Sequence, residues 1–540
     1  MHRYIFTSLL LVAVTLFSKE EELLISSLNG ILFSSSEEVL KSSTGDCYGL
    51  HIEDLFVPDR ARFIKEMEGY LGSGVSLTTL EEIRQSILKY YSDKAYPIVG
   101  VTVPKQDVSS GCLSILVIVG RLGELQAEKA KYFSNEKIAA MIRTKPGEYI
   151  NASRMREDLD WINLNPFRTT DIIYEPGENL GETDVTLLTK DRLPWELYAG
   201  YQNTGNIIAG RSRYYSGITW GNAWGIGHEL NYQLIMSDPF GDWHAHLGNY
   251  LIPLPMRNVL QFFGAYVKTK PLEGSDADSN GNSWQIAARY NIPFVFLGYV
   301  KNTLVFSYEF KRTNNFLSFA TDQIFNNSID ISQFALGYDV NMNYRLGMTE
   351  LGVSLYFSPG KMTAFNKDSN FSQERSGADS RYIYGKLRVD QMLTLPWKFS
   401  WVLNALFQQA TGKLLPSEEI SLGGYATVRG YDENEVIGDN GILIKNELRS
   451  PPIALPKFKI ISQNMQFLVF LDFGYTYDAD ESILNKQRET LGSIGPGIRY
   501  TFGRCVNVRF DYGWQLDSIM RKVDDSHKHS RGHFAAHCAF

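Results

Sequence analysis

After Phe17 the chain contains no run of eighteen or more apolar residues, yet from Pro194 to the end its hydrophobicity alternates with a period of two. Thr303 to Lys311 sets Leu304, Phe306, Tyr308 and Phe310 on one face and Val305, Ser307, Glu309 and Lys311 on the other. Gln333 to Val340 repeats the pattern, with Phe334, Leu336, Tyr338 and Val340 against Gln333, Ala335, Gly337 and Asp339. Successive side chains on a strand point to opposite faces, so such segments build sheets with one apolar and one polar side. In a soluble sandwich the apolar side meets a second sheet; in a membrane barrel it meets lipid, and the polar side lines a wet interior.

The sum of the strands favours the barrel. Sixteen segments qualify, near 195–202, 212–221, 229–236, 244–252, 260–267, 284–292, 303–311, 333–341, 350–357, 382–391, 398–408, 441–449, 466–475, 494–502, 505–515 and 532–540. The count is even, as a bacterial single-chain barrel requires. Long polar connections at 268–283, 312–332, 358–381, 409–440 and 476–493 alternate with mostly short turns such as Gly503-Arg504; one short-side link, 450–465, is longer than the rest. With no apolar helix available, any membrane span of the mature protein is expected to be made of strands.

The N-terminus points the same way. Met1-His2-Arg3 precedes an apolar run from Tyr4 to Phe17, a basic segment leading a core too short to cross a bilayer as a helix, so residues 1–18 are expected to be a signal peptide. The net charge of −7 suggests no nucleic-acid partner. Four cysteines, Cys47, Cys112, Cys505 and Cys538, are too few and too scattered for a disulfide-dense scaffold or a zinc motif. Cys47 and Cys112 can pair in an oxidising compartment, but two free buried thiols are the favoured reading, and Cys505 and Cys538 are not expected to pair.

Between Tyr48 and Asp191 the pattern is mixed and runs twice through strand, helix, helix, strand, strand. The first pass (48–121) has strands near 48–57, 97–103 and 113–119, a helix near 59–71 and another in which Thr79 and Glu82 are spaced as a capping box. The second (122–191) has strands near 122–129, 169–174 and 183–189 and helices near 135–143 and 152–164, with Pro176-Gly177 as a turn. Ahead of both lies 19–47, where Glu20 to Phe33 is expected to form a short helix.

The barrel region, 192–540, contains a distinctive loop, GGYATVRGYDENEVIGDNGILIKNELRS from Gly423 to Ser450, in which Val428-Arg429-Gly430-Tyr431 precedes an alternating strand. It resembles the VRGY loop of the two-partner secretion transporters of the bacterial outer membrane. The two preceding modules resemble that family's POTRA domains in VPKQDVSSG (103–111), VGRLGEL (119–125), LNPFR (164–168) and EPGENLGETDVTL (175–187). Phe470-Leu471-Asp472-Phe473-Gly474 resembles the family's F-x-D-x-G strand motif, and the C-terminal Phe540 resembles an outer-membrane assembly signal.

The resemblance implies an α+β periplasmic portion followed by an all-β transmembrane barrel of sixteen antiparallel strands. It implies that the loop folds back into the lumen, where Arg429 pairs with Asp472, with Phe470, Gly474 and Glu447 in support. It further implies a monomeric pore that captures an unfolded secreted exoprotein through its POTRA domains and passes it to the cell surface without ATP. Expected partners are that cargo and outer-membrane lipids.

Catalysis is not expected: there is no Walker loop, nucleophile elbow or HExxH motif. No cofactor or metal is expected either. Asp276, Asp278, Asn280 and Gly281 imitate the start of an EF-hand loop, but Ala287 stands where its last glutamate is needed. His527, His529, His533 and His537 divide between a loop and a strand, and read as structural or incidental. Rival readings are an assembly factor that inserts other barrels, which shares the loop but is expected to carry more POTRA units, a passive porin, and a soluble β-rich adhesin.

Overall fold

A computed structural model describes residues 23–42, 47–205, 210–238, 240–269, 281–296, 300–313, 329–458, 461–479, 488–516 and 529–540. The expected signal peptide, Asp276, Asp278, Asn280 and His527 lie outside these residues. The described residues fall into two compact units, one ending at Lys190 and one from Asp191 to Phe540 that also takes in Lys131–Phe133 and Leu164–Arg168.

In the first unit, strands β1 (Gly30–Ser34), β2 (Gly49–Glu53), β3 (Val99–Thr102) and β4 (Cys112–Val119) form a sheet in the order β2-β1-β4-β3. Helices α1 (Glu37–Ser42), α2 (Arg60–Glu68) and α3 (Leu77–Asp93) accompany it, and Phe63, Met67, Ile83, Ile87 and Tyr91 join Ile31, Phe33, Ile115 and Val117 in one buried core. A second sheet follows with β5 (Arg121–Glu128), β6 (Arg168–Pro176) and β7 (Glu182–Asp191) in the order β5-β7-β6, together with α4 (Asn135–Ala139) and α5 (Ala152–Ile162).

Three sequence expectations need correction here. The expected helix over Glu20–Phe33 is absent from its described part; β1 instead runs parallel to both β2 and β4, with all five of its residues buried. A short run that is buried throughout carries no periodicity to separate a covered strand from a helix. The first module therefore begins well before Tyr48, since Ile25 bridges to Val75. Second, α3 is capped by Ser76, whose hydroxyl accepts from the Thr79 N–H at 3.2 Å, three residues ahead of the expected box.

Third, Cys47 and Cys112 form a disulfide, with Cα atoms 5.6 Å apart. Separation along the chain conceals their proximity, which arises because β2 and β4 both register on Gly30, opposite Gly49 and Cys112. A Cβ on Gly30 would lie 2.8 Å from Cys47 Sγ, so only glycine leaves room for the bridge. Replacing both cysteines by serine is expected to destabilise this module by roughly 4 kcal/mol, the loop-closure value for a 65-residue separation. Proteolysis of the full-length chain across a urea series measures this; an unmoved midpoint would assign the bridge no stabilising role.

The second unit is a closed barrel. Its wall strands are β8 (Trp195–Gln202), β9 (Arg213–Ala223), β10 (His228–Ser237), β11 (Trp243–Pro253), β12 (Val259–Thr269), β13 (Gly281–Phe296), β14 (Val300–Thr313), β15 (Ile329–Tyr344), β16 (Gly347–Pro359), β17 (Arg381–Thr394) and β18 (Ser400–Ala410). Then come the short β19 (Ile420–Leu422) and β20 (Val436–Gly438), which pair only with each other, and β21 (Asn440–Arg449), β22 (Ile453–Phe458), β23 (Ile461–Tyr477), β24 (Arg488–Phe502), β25 (Val506–Gln515) and β26 (Ser530–Ala539). The ring closes where Ala535–Ala539 pair antiparallel with Tyr198–Gln202.

Sixteen wall positions result, as the periodicity predicts, because β22 is not a separate one. It continues the line of β21 along the same partner: β21 pairs with Leu468–Tyr477, and β22 with the earlier residues of β23. This explains the long link at 450–465. Alternation along β23 fixes the two faces, with Val469, Leu471 and Phe473 exposed and Leu468, Phe470, Asp472 and Gly474 buried. Exposed Phe306, Leu336, Val353 and Leu355 extend the outer apolar band around the wall, as a surface facing hydrocarbon demands. Cys505 and Cys538 are free.

Candidate functional site

The connection between β18 and β21 enters the barrel interior. Its hairpin of β19 and β20 holds out a tip, residues 423–435, and Ile420, Leu422, Val428 and Tyr431 pack with Leu443 and Leu491 of the wall. The phenol of Tyr431 donates to the Gly492 carbonyl at 2.9 Å. Two wall glycines make the approach possible. A Cβ on Gly474 would lie 2.7 Å from Leu422 Cδ1 and 2.9 Å from Val428 Cγ2. Gly430 has φ of +92°, favoured by glycine alone, and meets the backbone of Gly513, whose Cβ would fall 2.7 Å from Gly430 N.

This packing delivers Arg429, fully buried, to the inner face of the wall. Its Nε donates to Asp472 Oδ2 at 2.7 Å and its Nη2 to Oδ1 at 2.8 Å, a bidentate fork, and its backbone N–H also donates to Oδ2 at 3.2 Å. Nη1 donates to Glu447 Oε1 at 2.5 Å, while the Phe470 ring lies 3.7 Å from the guanidinium carbon. Thus Arg429, Asp472, Glu447 and Phe470 converge at one point, and Val428, Gly430, Tyr431 and Gly474 shape the backbone and packing around it. Lysine offers no such planar fork.

Sequence reasoning missed part of this network. Asp511 lies 3.7 Å from Arg429 Nη1 and accepts from Arg499 at 2.7 and 3.0 Å, and Arg449 donates to Glu447 at 2.6 and 2.8 Å. Three arginines thereby face three carboxylates, which balances the buried charge as its desolvation requires. A signal for Asp511 was present: Asp511-x-Gly513 on β25 repeats the spacing of Asp472-x-Gly474 on β23, acid and glycine both facing inward. His533, read as structural or incidental, has a structural role: it accepts from the Gly430 N–H through Nε2 at 3.0 Å, and Gln515 donates to the Gly430 carbonyl at 2.7 Å.

The base of the loop is tethered elsewhere. Buried Glu418 accepts from Lys311 Nζ at 2.6 Å, the Tyr384 hydroxyl at 2.8 Å and Gln333 Nε2 at 2.9 Å, which fixes it to β14, β15 and β17. Three further carboxylates, Glu419, Asp439 and Asp478, lie close enough together to share a cation, but the Arg375 guanidinium stands among them at 2.6, 2.5 and 2.9 Å. Arg375 follows α6 (Asp368–Glu374), and Asp478 follows β23, so this cluster joins three loops.

Charge pairs and packing of this kind hold a loop across a lumen. Residues 181–500 match the family described as haemolysin secretion/activation protein ShlB/FhaC/HecB, and 49–120 match the POTRA domain of ShlB type. The heme/hemopexin transporter protein HuxB of Haemophilus influenzae (strain 86-028NP) is 22% identical over 86% of this chain and 81% of its own length. The outer membrane transporter CdiB-2 of Burkholderia pseudomallei (strain 1026b) is 23% identical over 73% of this chain and 68% of its own. The solved structure of CdiB from Escherichia coli shares the fold at a TM-score of 0.76 and 17% identity, covering 97% of this chain and 92% of that one. A matched family model spanning more than half the chain, on a POTRA-bearing sixteen-stranded barrel, shows that the chain belongs to the ShlB/FhaC/HecB family of two-partner secretion transporters of the outer membrane.

Proposed function

We propose that this transporter captures an unfolded exoprotein in the periplasm with its two α+β modules, 23–121 and 122–191, and conducts it through a single barrel to the cell surface without ATP. The observation that carries this reading is the fully buried Arg429, held by Asp472 and Glu447 on a loop inside the barrel. A passive porin has no use for such a latch, whereas a conduit for a polypeptide needs a closed resting state that yields to its cargo. Translocation is then biased by folding of the cargo outside. Capture is supported by β6, an edge strand of the second sheet that leaves Ile173 and Tyr174 exposed and so offers backbone and side chains to an added strand.

The test is a photo-crosslinking residue at position 173 of the full-length chain in living cells. One dominant large secreted protein in the adduct is the expected result. A ladder of outer-membrane barrel precursors would instead assign an assembly role, and an empty adduct would favour the porin.

A further inference from the structure

Between Tyr425 of the loop tip and the wall lies a cavity of about 480 Å³, within the range of small-ligand pockets. Arg499, Asn507, Arg509, His537 and Tyr215 are among its lining residues. Arg499 and Arg509 stand directly opposite each other on β24 and β25, a like-charge pairing that disfavours the sheet unless something offsets it. Asp511 offsets Arg499 through two hydrogen bonds. Arg509 has no carboxylate partner among the described residues, and its Nε is buried without a hydrogen bond. The Tyr425 ring lies over it, 3.7 Å from the guanidinium carbon. A ring on one face of a guanidinium leaves the donors at its edge free, and Lys445 holds Tyr425 in place by donating to its carbonyl at 2.9 Å.

We propose that this cavity is a carboxylate-binding site, with Arg509 as the fork, which receives acidic side chains of an extended polypeptide in the lumen. The assignment rests on the translocation reading above. A single uncompensated guanidinium matches one carboxylate bidentately, and Asn507 and the aromatic rings suit a peptide alongside it. Because Tyr425 belongs to the loop tip, an acidic segment bound at the edge of Arg509 lies beside the tip.

The experiment is calorimetric titration of hexaglutamate into the full-length detergent-solubilised chain. Saturable binding is expected, with none for hexaglutamine, and Arg509→Gln is expected to weaken it about tenfold, the order of one charged hydrogen-bonding contact. Arg509→Lys is expected to fall between, and heat-modifiable migration on a gel establishes that each variant barrel is folded. Absence of saturable binding, or equal binding by folded Arg509→Gln, overturns the site. Displacement of hexaglutamate by acetate at equal carboxylate concentration overturns its assignment to a polypeptide. Because no cargo is involved, a chain that binds hexaglutamate yet secretes nothing would count against translocation and leave the site standing.

Discussion

Arg429→Ala is expected to open the lumen while leaving the barrel intact. Removing one member of a fully buried ion pair costs roughly 3 to 5 kcal/mol, most of it from the charge left behind, and a water-accessible lumen makes this an upper bound. Here Asp472 loses its bidentate partner and Glu447 its shortest contact. At about 1.4 kcal/mol per factor of ten, even half of that cost shifts the loop's closed-to-open balance more than tenfold. The wall does not share the loss, since the strands on either side of Asp472 keep their ladders. Planar-bilayer recordings should therefore show KCl conductance open for a much larger share of the time, with unchanged heat-resistant migration on a gel. Secretion should fall at least tenfold, because a loop without its rest position no longer offers the cargo a defined gate. A variant as silent as the parent would remove Arg429 from the gate.

Gly513→Ala reaches the same loop without touching a charge, and its effect is expected to be comparable. The added Cβ would sit 2.7 Å from Gly430 N, 2.8 Å from Gly430 Cα and 2.9 Å from the Arg429 carbonyl carbon. All three are backbone atoms, so no side chain can swing aside and the tip itself has to withdraw. Withdrawal lengthens the bond from Gly430 N to His533 and pulls the guanidinium out of its fork, where small displacements matter because the hydrogen bonds are directional. Conductance should rise as in Arg429→Ala. Normal conductance with normal secretion would mean the loop accommodates the methyl group and is not seated against β25.

The two variants test what the sequence made partly legible. All sixteen wall strands were readable because lipid outside and water inside impose a strict period of two, which survives even without knowledge of neighbours. The strand β1 was not, because burial on both faces erases the period and leaves a short apolar run that fits helix and strand alike. The disulfide was missed for a related reason: only the parallel register on Gly30 brings Cys47 to Cys112. In the site, Arg429 and Asp472 were approached through motifs, and Asp511 carried the same acid-x-glycine spacing unnoticed. Glu418 and Arg375 had no local mark at all. Their partners Lys311, Gln333, Tyr384 and Asp478 come from distant strands and loops, and only the path of the loop through the interior assembles them.

Among the C-terminal histidines, read as structural or incidental, His533 takes the structural role, as a hydrogen-bond acceptor for the glycine of the loop tip. Its neighbour along the inward face of β26, His537, instead meets the Tyr215 hydroxyl at 3.1 Å.

The most direct measurement is a double-mutant cycle on the latch, with KCl conductance recorded in planar bilayers for the parent, Arg429→Ala, Asp472→Ala and the double variant. If the pair acts as one latch, each single replacement raises the open fraction and the double adds little beyond the larger single effect. Open-state free energies that simply add would show that the two side chains act separately, and the latch would then have to be abandoned.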